Sequence, residues 1–404
     1  MLNIPIFVLV LAALAGAAIV TAVWKAFFSK LAAVPGPFLA RFTDLWYSIN
    51  DPMAAKIVYG TTSKFTKSSW YETWSNPHPN AWNLFGDRDA KRHAANRRQY
   101  QNTYSMSSLV NYESYVDDCA DIFCQRLDEM SARGGWHEPV DMGHWLQCYA
   151  FDVICFITYS SRMGFLDLGE DVGEVMKNLE DHLAYASIVG VYPQLHPILF
   201  PIRNWLAGSQ GKGRQYVINY TQQCMSDHQS KPKAQILEAS KASESQMGSL
   251  DFLSKFMQRH SENPDAFSTY HALAGCVSNM VAGSDTTSIS LSAILYHVLQ
   301  NPWVEHSNKT IFGEDADKFV PERWLSEDKD RIAAMNRHWM PFGLGSRTCI
   351  GRHISMLEMS KLIPRLVRDF EMELSGKGTW ETQNYWFVKP KNFKVLVRPR
   401  AIKT

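Results

Sequence analysis

The chain has 404 residues, 46% of them hydrophobic and 20% charged, with 41 Lys and Arg against 40 Asp and Glu. That length suits one large core or two domains, and a net charge of +1 leaves no electrostatic footprint for nucleic acid. The seven cysteines are odd in number and form no C-x-x-C pair, which points to thiols in a reducing compartment rather than a disulfide framework.

Met1 to Trp24 carries no charged side chain, and Ile4 to Trp24 is almost wholly apolar. About 21 residues at ~1.5 Å each cover the ~30 Å hydrocarbon core of a bilayer. Lys25 and Lys30 follow directly, which favours a cytoplasmic side for what comes next. Residues 1–30 are therefore expected to be a single-pass membrane anchor and residues 31–404 the folded domain. A cleavable signal peptide is the competing reading. The small residues Ala15-Gly16-Ala17-Ala18 support it; the length of the apolar run and the lack of a preceding basic residue oppose it. Pro35-Gly36-Pro37 then fixes the backbone as a stiff connector.

Beyond the connector there is no internal repeat, and the text reads mainly as amphipathic helix. His93 and Arg97 are four apart, on one helical face, within a basic stretch that also holds Lys91, Arg92 and Arg98. By itself that stretch reads as a solvated basic helix. Further helices are expected over Val110–Met130, His144–Tyr159, Val172–Tyr185 and Phe267–Gln300, the last ended by Asn301-Pro302. The aromatic and Pro-rich run Tyr185–Pro201 reads as an apolar access channel or as ordinary packing. The polar patch Gln229–Gln246 reads as a loop.

Within the longest helix, Ala282-Gly283-Ser284-Asp285-Thr286-Thr287 opens a run with hydroxyls at 284, 286, 287, 288, 290 and 292. Such side chains compete for backbone groups, and Gly283 adds freedom, so a locally loosened helix is expected here. An acidic residue in mid-core, Asp285, needs a partner. Downstream, Phe342-Gly343-Leu344-Gly345-Ser346-Arg347-Thr348-Cys349-Ile350-Gly351-Arg352 sets one cysteine in a glycine-rich loop before an apolar helix expected over about Ile350–Phe370. The glycines allow close approach to a flat cofactor. The helix N-terminus favours the thiolate of Cys349 over the thiol. A thiolate held this way suits haem iron. Strand-like sequence is sparse and late, at Tyr385–Val388 and Phe393–Val397.

The cysteine loop resembles the haem-binding signature of the cytochrome P450 family, F-x-x-G-x-R-x-C-x-G, with Phe342, Gly345, Arg347, Cys349 and Gly351 in the fixed positions. Ala282 to Thr287 resembles the family's A-G-x-[DE]-T-T, and Phe319-Val320-Pro321-Glu322-Arg323-Trp324 its F-x-P-E-R-[FW]. The proline connector belongs to the same resemblance. What it implies is the P450 fold, a mainly α haem-thiolate domain with small β-sheets, preceded by a transmembrane helix. It implies haem as cofactor with Cys349 as axial thiolate ligand to iron. Arg347, His93 and Arg97 would hold the propionates, and Phe342 would shield the sulfur. Thr286 would orient a water for proton delivery, with Asp285 feeding the relay.

The chain looks most similar to fungal membrane-anchored P450s of the pisatin-demethylase-like and benzoate-hydroxylase-like kind. That implies a monooxygenase inserting one oxygen atom from O2 into a lipophilic small molecule, as hydroxylation in a secondary-metabolite pathway. Electrons would come through NADPH–cytochrome P450 reductase. The protein would sit at the endoplasmic reticulum membrane with its catalytic domain in the cytosol.

Two departures stand against this. No Glu is followed three residues later by Arg, although the family carries E-x-x-R before the PERW segment, and only sixteen residues separate Pro302 from Phe319. A second shortening lies near Asn50-Asp51-Pro52. The small sheet is accordingly expected to be largely missing and Arg323 to lack its carboxylate. A buried arginine without its partner costs roughly 3–5 kcal/mol, against ~5–15 kcal/mol for a whole domain. The alternative reading is thus a truncated, non-catalytic P450 remnant or a mis-joined gene model that binds haem poorly or not at all.

Overall fold

The computed structural model describes residues 52–60, 63–78, 81–134, 137–206, 214–230, 250–300, 312–316, 320–376 and 381–400, with isolated residues between 16 and 28. The chain divides into two units, Met1–Ser63 and Lys64–Thr404. In the first, helix α1 (Pro52–Tyr59) ends where Ser63 Oγ donates to the Val58 carbonyl at 2.6 Å. Among the described residues no helix is long and apolar enough to cross a membrane. The expected anchor at 1–30 lies mostly outside them; those of its residues that are described, among them Ile19, Val20, Trp24 and Phe28, are helical and exposed. The proline connector lies outside the described residues, as does the loop expected over Gln229–Gln246 except for Gln229 and Ser230, which are helical.

The second unit is mainly helical: α2 (Ala90–Tyr100), α3 (Glu113–Gly134), α4 (Met142–Tyr159), α5 (Val175–Val189), α6 (His196–Leu206), α7 (Arg214–Ser230), α8 (Phe252–Glu262), α9 (Thr269–Gln300), α10 (Lys329–His338) and α11 (Arg352–Asp369). Its centre is the crossing of α4 and α9. Helix α4 is apolar around most of its circumference and is buried accordingly, from Met142 and Leu146 to Ile157 and Tyr159. Gly283 lets α9 approach it: a Cβ there would lie 2.8 Å from Ile154 Cγ1. Asp141 caps α4 by accepting the His144 N–H at 3.1 Å, and Ser160 ends it in the left-handed conformation.

Among the described residues the strands form two small sheets. In one, β5 (Lys394–Pro399) is flanked antiparallel by β1 (Val140–Asp141) and β2 (Phe370–Leu374), with Val395 opposite both Val140 and Leu374. The other is a hairpin of β3 (Glu381–Asn384) and β4 (Val388–Lys391).

Three sequence expectations are corrected here. The run Tyr385–Val388, whose aromatic and β-branched composition reads as strand, is the turn of the β3–β4 hairpin, with β4 beginning only at Val388. Its Trp386 stacks on Trp70 with ring centroids 3.7 Å apart, so tertiary packing decides the conformation. Helix α9 is continuous through its hydroxyl-rich stretch. Ser284, Thr286 and Ser290 each donate to the carbonyl four residues back, at 2.7–2.9 Å, and so satisfy themselves without opening the helix. Arg323 does not lack a carboxylate. Its Nη1 lies 3.2 Å from Asp315 Oδ1 and also donates to the Phe312 carbonyl, while Nη2 and Nε donate to the carbonyls of Asp315 and Val320 at 2.8 and 3.0 Å. A local acid and three backbone oxygens replace the distant glutamate, and the expected penalty does not arise.

Candidate active site

The cysteine loop is shaped by its glycines. Gly343 and Gly345 have φ of +67° and +64°, a region side chains disfavour, and a 3-10 turn over Gly345–Arg347 follows. The Cys349 N–H donates to the Phe342 carbonyl at 2.8 Å, which closes the loop. The Phe342 ring lies partly buried, edge-on to Trp339 at 5.9 Å. Helix α11 starts at Arg352 with Gly351 as its cap, so Cys349 precedes the helix by more than the sequence suggests. Even so, the N–H groups of Gly351 and Arg352 point at its sulfur. Although the residue is exposed at the surface, the protein packed around its sulfur pushes the Cys349 thiol up; those N–H groups and the Arg97 and Arg352 guanidiniums pull it partly back. Of the seven cysteines, Cys349 alone is exposed.

Positive charge converges beside it. Helix α2 is capped by Asp89, which accepts the N–H groups of Lys91 and Arg92, and this sets His93 and Arg97 on one face. His93 is buried, which rules out the solvated-helix reading for that face, whereas Lys91 and Arg98 are exposed. Burial, Arg347 and Arg97 push the His93 imidazole down to about 4, so it is neutral at physiological pH. Arg347 Nη1 donates to the Asp87 carbonyl at 2.8 Å. The Asp87 carboxylate itself is taken by Arg92, in a two-pronged contact at 2.9 Å. The Arg97 guanidinium has no hydrogen-bond or ion-pair partner among the described residues.

Lys67 joins the group without any motif to announce it. Its Nζ lies over the rings of Tyr71 and Phe85, at 4.2 and 4.0 Å, and burial followed by Arg347 lowers it to about 8. His93, Arg97, Phe342, Arg347 and Cys349 thus come together as the sequence implies, with Lys67 added. An excess of cations beside an exposed cysteine, in a loop where a Cβ at Gly343 would meet nothing within 4 Å, fits a flat, dianionic, thiolate-ligated group such as haem.

Asp285 and Thr286 occupy α9. Thr286 is partly exposed and shares its face with exposed Ala282, whereas Asp285 is 0% exposed. Gln147 of α4 donates to Asp285 Oδ1, and Lys389 Nζ of β4 lies 2.8 Å from Oδ2. These are the partners the sequence required without revealing, because both lie far along the chain. Burial pushes the Asp285 carboxyl up and outweighs the pull of Lys389 and Gln147. One residue on, Thr287 Oγ1 and Ser355 Oγ are 2.6 Å apart, tying α9 to α11. In the run expected to line an access channel, His196 is buried between the Tyr185 hydroxyl and the Ser75 carbonyl, both at 2.9 Å, and serves packing. Two surface clefts, of about 570 and 350 Å³, are lined around Trp82 and Tyr270 and around Asp87 and His196; neither includes Cys349 or Thr286.

The cytochrome P450 family model matches residues 24–307 and 298–397, nearly the whole chain in two pieces that meet around Pro302. Among curated proteins, the chain is similar to a cytochrome P450 monooxygenase of Aspergillus terreus, 28% identical over 83% of either chain. It is similar to a pisatin demethylase of Fusarium vanettenii, 26% identical over 94% of this chain and 90% of the relative. The cytochrome P450 monooxygenase cicH of Emericella nidulans is 27% identical over 92% and 94%. The pisatin demethylase alignment runs over 492 positions although 94% of 404 residues, about 380, take part, so about a hundred of its positions face gaps in this chain.

Proposed function

The chain belongs to the cytochrome P450 family and is a P450 monooxygenase, and from that premise we propose that it hydroxylates a lipophilic small molecule in fungal secondary metabolism. The observation that carries the reading is the convergence of Lys67, Arg97 and Arg347 on the face of the chain where Cys349 alone of the cysteines is exposed. The family's cofactor is haem, and when bound it supplies dioxygen activation at an iron whose thiolate ligand favours O–O cleavage. Cys349 would be its ligand, with the N–H groups of Gly351 and Arg352 holding the thiolate charge. Arg97 and Arg347 would hold the propionates, and neutral His93 would contribute a hydrogen bond rather than a charge. Phe342 opens the loop that carries the sulfur, its ring edge-on to Trp339. Thr286 orients water on the open face of α9, and Asp285, a carboxyl shifted toward its protonated form, supplies the proton.

The relatives' names support a small-molecule oxygenation in a fungal pathway. Reductase-delivered electrons, anchoring by residues 1–30 and an endoplasmic reticulum location with a cytosolic domain belong to the same proposal. A second reading, a shortened chain that does not turn over, is motivated by the missing E-x-x-R. The Arg323–Asp315 pair removes the energetic part of that case. The test is NADPH-dependent oxygenation of a panel of lipophilic aromatics by the membrane-expressed chain with a fungal reductase. Oxygenated product abolished in Thr286→Ala supports the monooxygenase. No NADPH consumption beyond that of the reductase alone, and no product, in the wild type supports the remnant.

A further inference from the structure

We propose that the slot filled by the Trp386 indole is the place of a flat aromatic substrate carrying a hydrogen-bond acceptor, with Trp386, at the turn of the β3–β4 hairpin, as the ring it displaces; this rests on the monooxygenase reading above and names its substrate class. Trp386 lies face to face on Trp70, with centroids 3.7 Å apart and planes 7° from parallel. It meets Tyr71, Trp74 and Phe85 edge-on, at 5.4, 4.8 and 6.0 Å. Trp70, Tyr71 and Trp74 share the 3-10 turn Ser69–Trp74, so the hairpin tip inserts one flat ring between walls that another stretch of chain supplies. The slot stands at the candidate site. The Lys67 ammonium, which lies over its Tyr71 and Phe85 rings, is beside Arg347. On the hairpin side, Lys389 Nζ is 2.8 Å from Oδ2 of Asp285, the neighbour of Thr286. The rings thus lie between the cations that would hold the propionates and the stretch of α9 that carries Thr286.

The two stacked rings differ in freedom. Trp70 is a fixed wall: its Nε1 donates to the Ser187 carbonyl at 3.3 Å, and α5 ends against it at Gly190, where any Cβ would collide with the indole. Trp386 is held by ring contacts, with no hydrogen bond to its side chain among the described residues. The strand beneath it is anchored by Lys389 on Asp285 and by Lys391 on Glu180 at 2.9 Å, so the tip ring can swing out while the strand stays. Aromatic rings favour offset or edge-on contact over a face-to-face sandwich. A substrate ring can therefore replace Trp386 against Trp70 and keep the edge contacts of the other three walls.

The acceptor follows from the donors at the slot. Trp74 Nε1 is buried and has no hydrogen-bond partner among the described residues, and a donor left unmade in the interior calls for one. Edge-on to Trp74, at 5.2 Å, is the half-buried His182 of α5. Arg203 Nη1 lies 3.4 Å from His182 Nδ1. A guanidinium only donates, so Nδ1 accepts and the proton of the neutral ring sits on Nε2. The packing around His182, then Arg214 and Arg203, lowers it to about 3, which keeps the ring neutral. Two uncharged N–H donors suit a carbonyl, ether or hydroxyl oxygen on the rim of a flat ring.

The test is equilibrium dialysis of the full chain against three probes, with neither NADPH nor reductase present. The probes are 2-methoxynaphthalene, which is flat with an acceptor, naphthalene, which is flat without one, and 2-methoxydecalin, which has the acceptor on a puckered frame. The wild type is expected to bind 2-methoxynaphthalene about five- to tenfold more tightly than either of the others. Trp74→Phe should bring 2-methoxynaphthalene down to naphthalene and leave naphthalene unchanged. Trp70→Leu should abolish the preference for flat probes. Trp386→Ala and the better-filled Trp386→Leu, each first shown by a thermal melt to be folded, should bind both flat probes about tenfold more tightly, because the competing ring is gone. A purely structural cluster predicts the opposite sign, with both Trp386 variants weakening all three probes alike. That result overturns the proposal, as does a wild type that binds none of the probes or binds all three equally. Binding preferences without any product would sink the monooxygenase reading and leave the slot standing; product without the preferences would do the reverse.

Discussion

Thr287 and Ser355 share a hydrogen bond of 2.6 Å between their side-chain oxygens, and with it the helix bearing Asp285 and Thr286 is registered against the helix that follows the cysteine loop. A half-buried side-chain bond of this kind contributes about 1 kcal/mol, and more is lost when one partner is left alone. Thr287→Val should cost about 1–3 kcal/mol in denaturant unfolding. Replacing both residues, as Thr287→Val with Ser355→Ala, should cost less than the sum of the single changes.

Arg323 and Asp315 make a second test. If Asp315 stands in for the absent glutamate, Asp315→Asn removes one charge from a site whose backbone acceptors remain, and about 1 kcal/mol of stability should be lost. Arg323→Met strands the acceptors and should cost roughly 3 kcal/mol. Equal unfolding midpoints for wild type and Asp315→Asn would mean that the pair does nothing.

Acid sensitivity follows from His93. Its ordinary value of 6.5 falls to about 4 in the folded chain, through burial first and then Arg347 and Arg97. Between these values the unfolded chain takes up a proton that the folded one refuses, so stability is full above about pH 6.5 and declines as the pH falls toward 4. His93→Gln should flatten that decline in thermal melts. A parallel slope in both proteins would assign acid sensitivity elsewhere.

Glu358 acts with the opposite sign. It is fully buried on α11, neither carboxyl oxygen has a hydrogen-bond partner among the described residues, and the same holds for the hydroxyl of Tyr149, whose titration it influences. Burial holds its carboxyl well above the ordinary value of 4.5. The unfolded chain therefore releases its proton first, and stability falls as the pH rises above about that value. Glu358→Gln should be more stable than wild type at pH 7, on the order of 1–3 kcal/mol, and similar near pH 4. Greater stability for the wild type at neutral pH would show that the carboxylate has a partner.

Helix positions were legible from sequence because apolar periodicity is strong: α3, α4 and α9 fall within a few residues of expectation. So was the cluster around Cys349, because motif spacing fixes Arg347 and the i, i+4 spacing fixes His93 with Arg97. What sequence could not show were partners brought in by tertiary packing. Lys389, Gln147 and Lys67 sit in ordinary local text, and only the fold carries them to Asp285 and the cationic cluster. A missing motif is not a missing partner: Asp315, eight residues from Arg323, reaches its guanidinium without any E-x-x-R.

The central claim is that Cys349 is a haem-thiolate ligand in this shortened chain. The most direct test is the carbon-monoxide difference spectrum of the reduced protein in membranes, for wild type and Cys349→Ala. The account predicts a Soret maximum at the thiolate-ligated position in the wild type and its loss in the variant. A maximum at the neutral-thiol position, no haem signal, or a thiolate signal that survives in Cys349→Ala would contradict it.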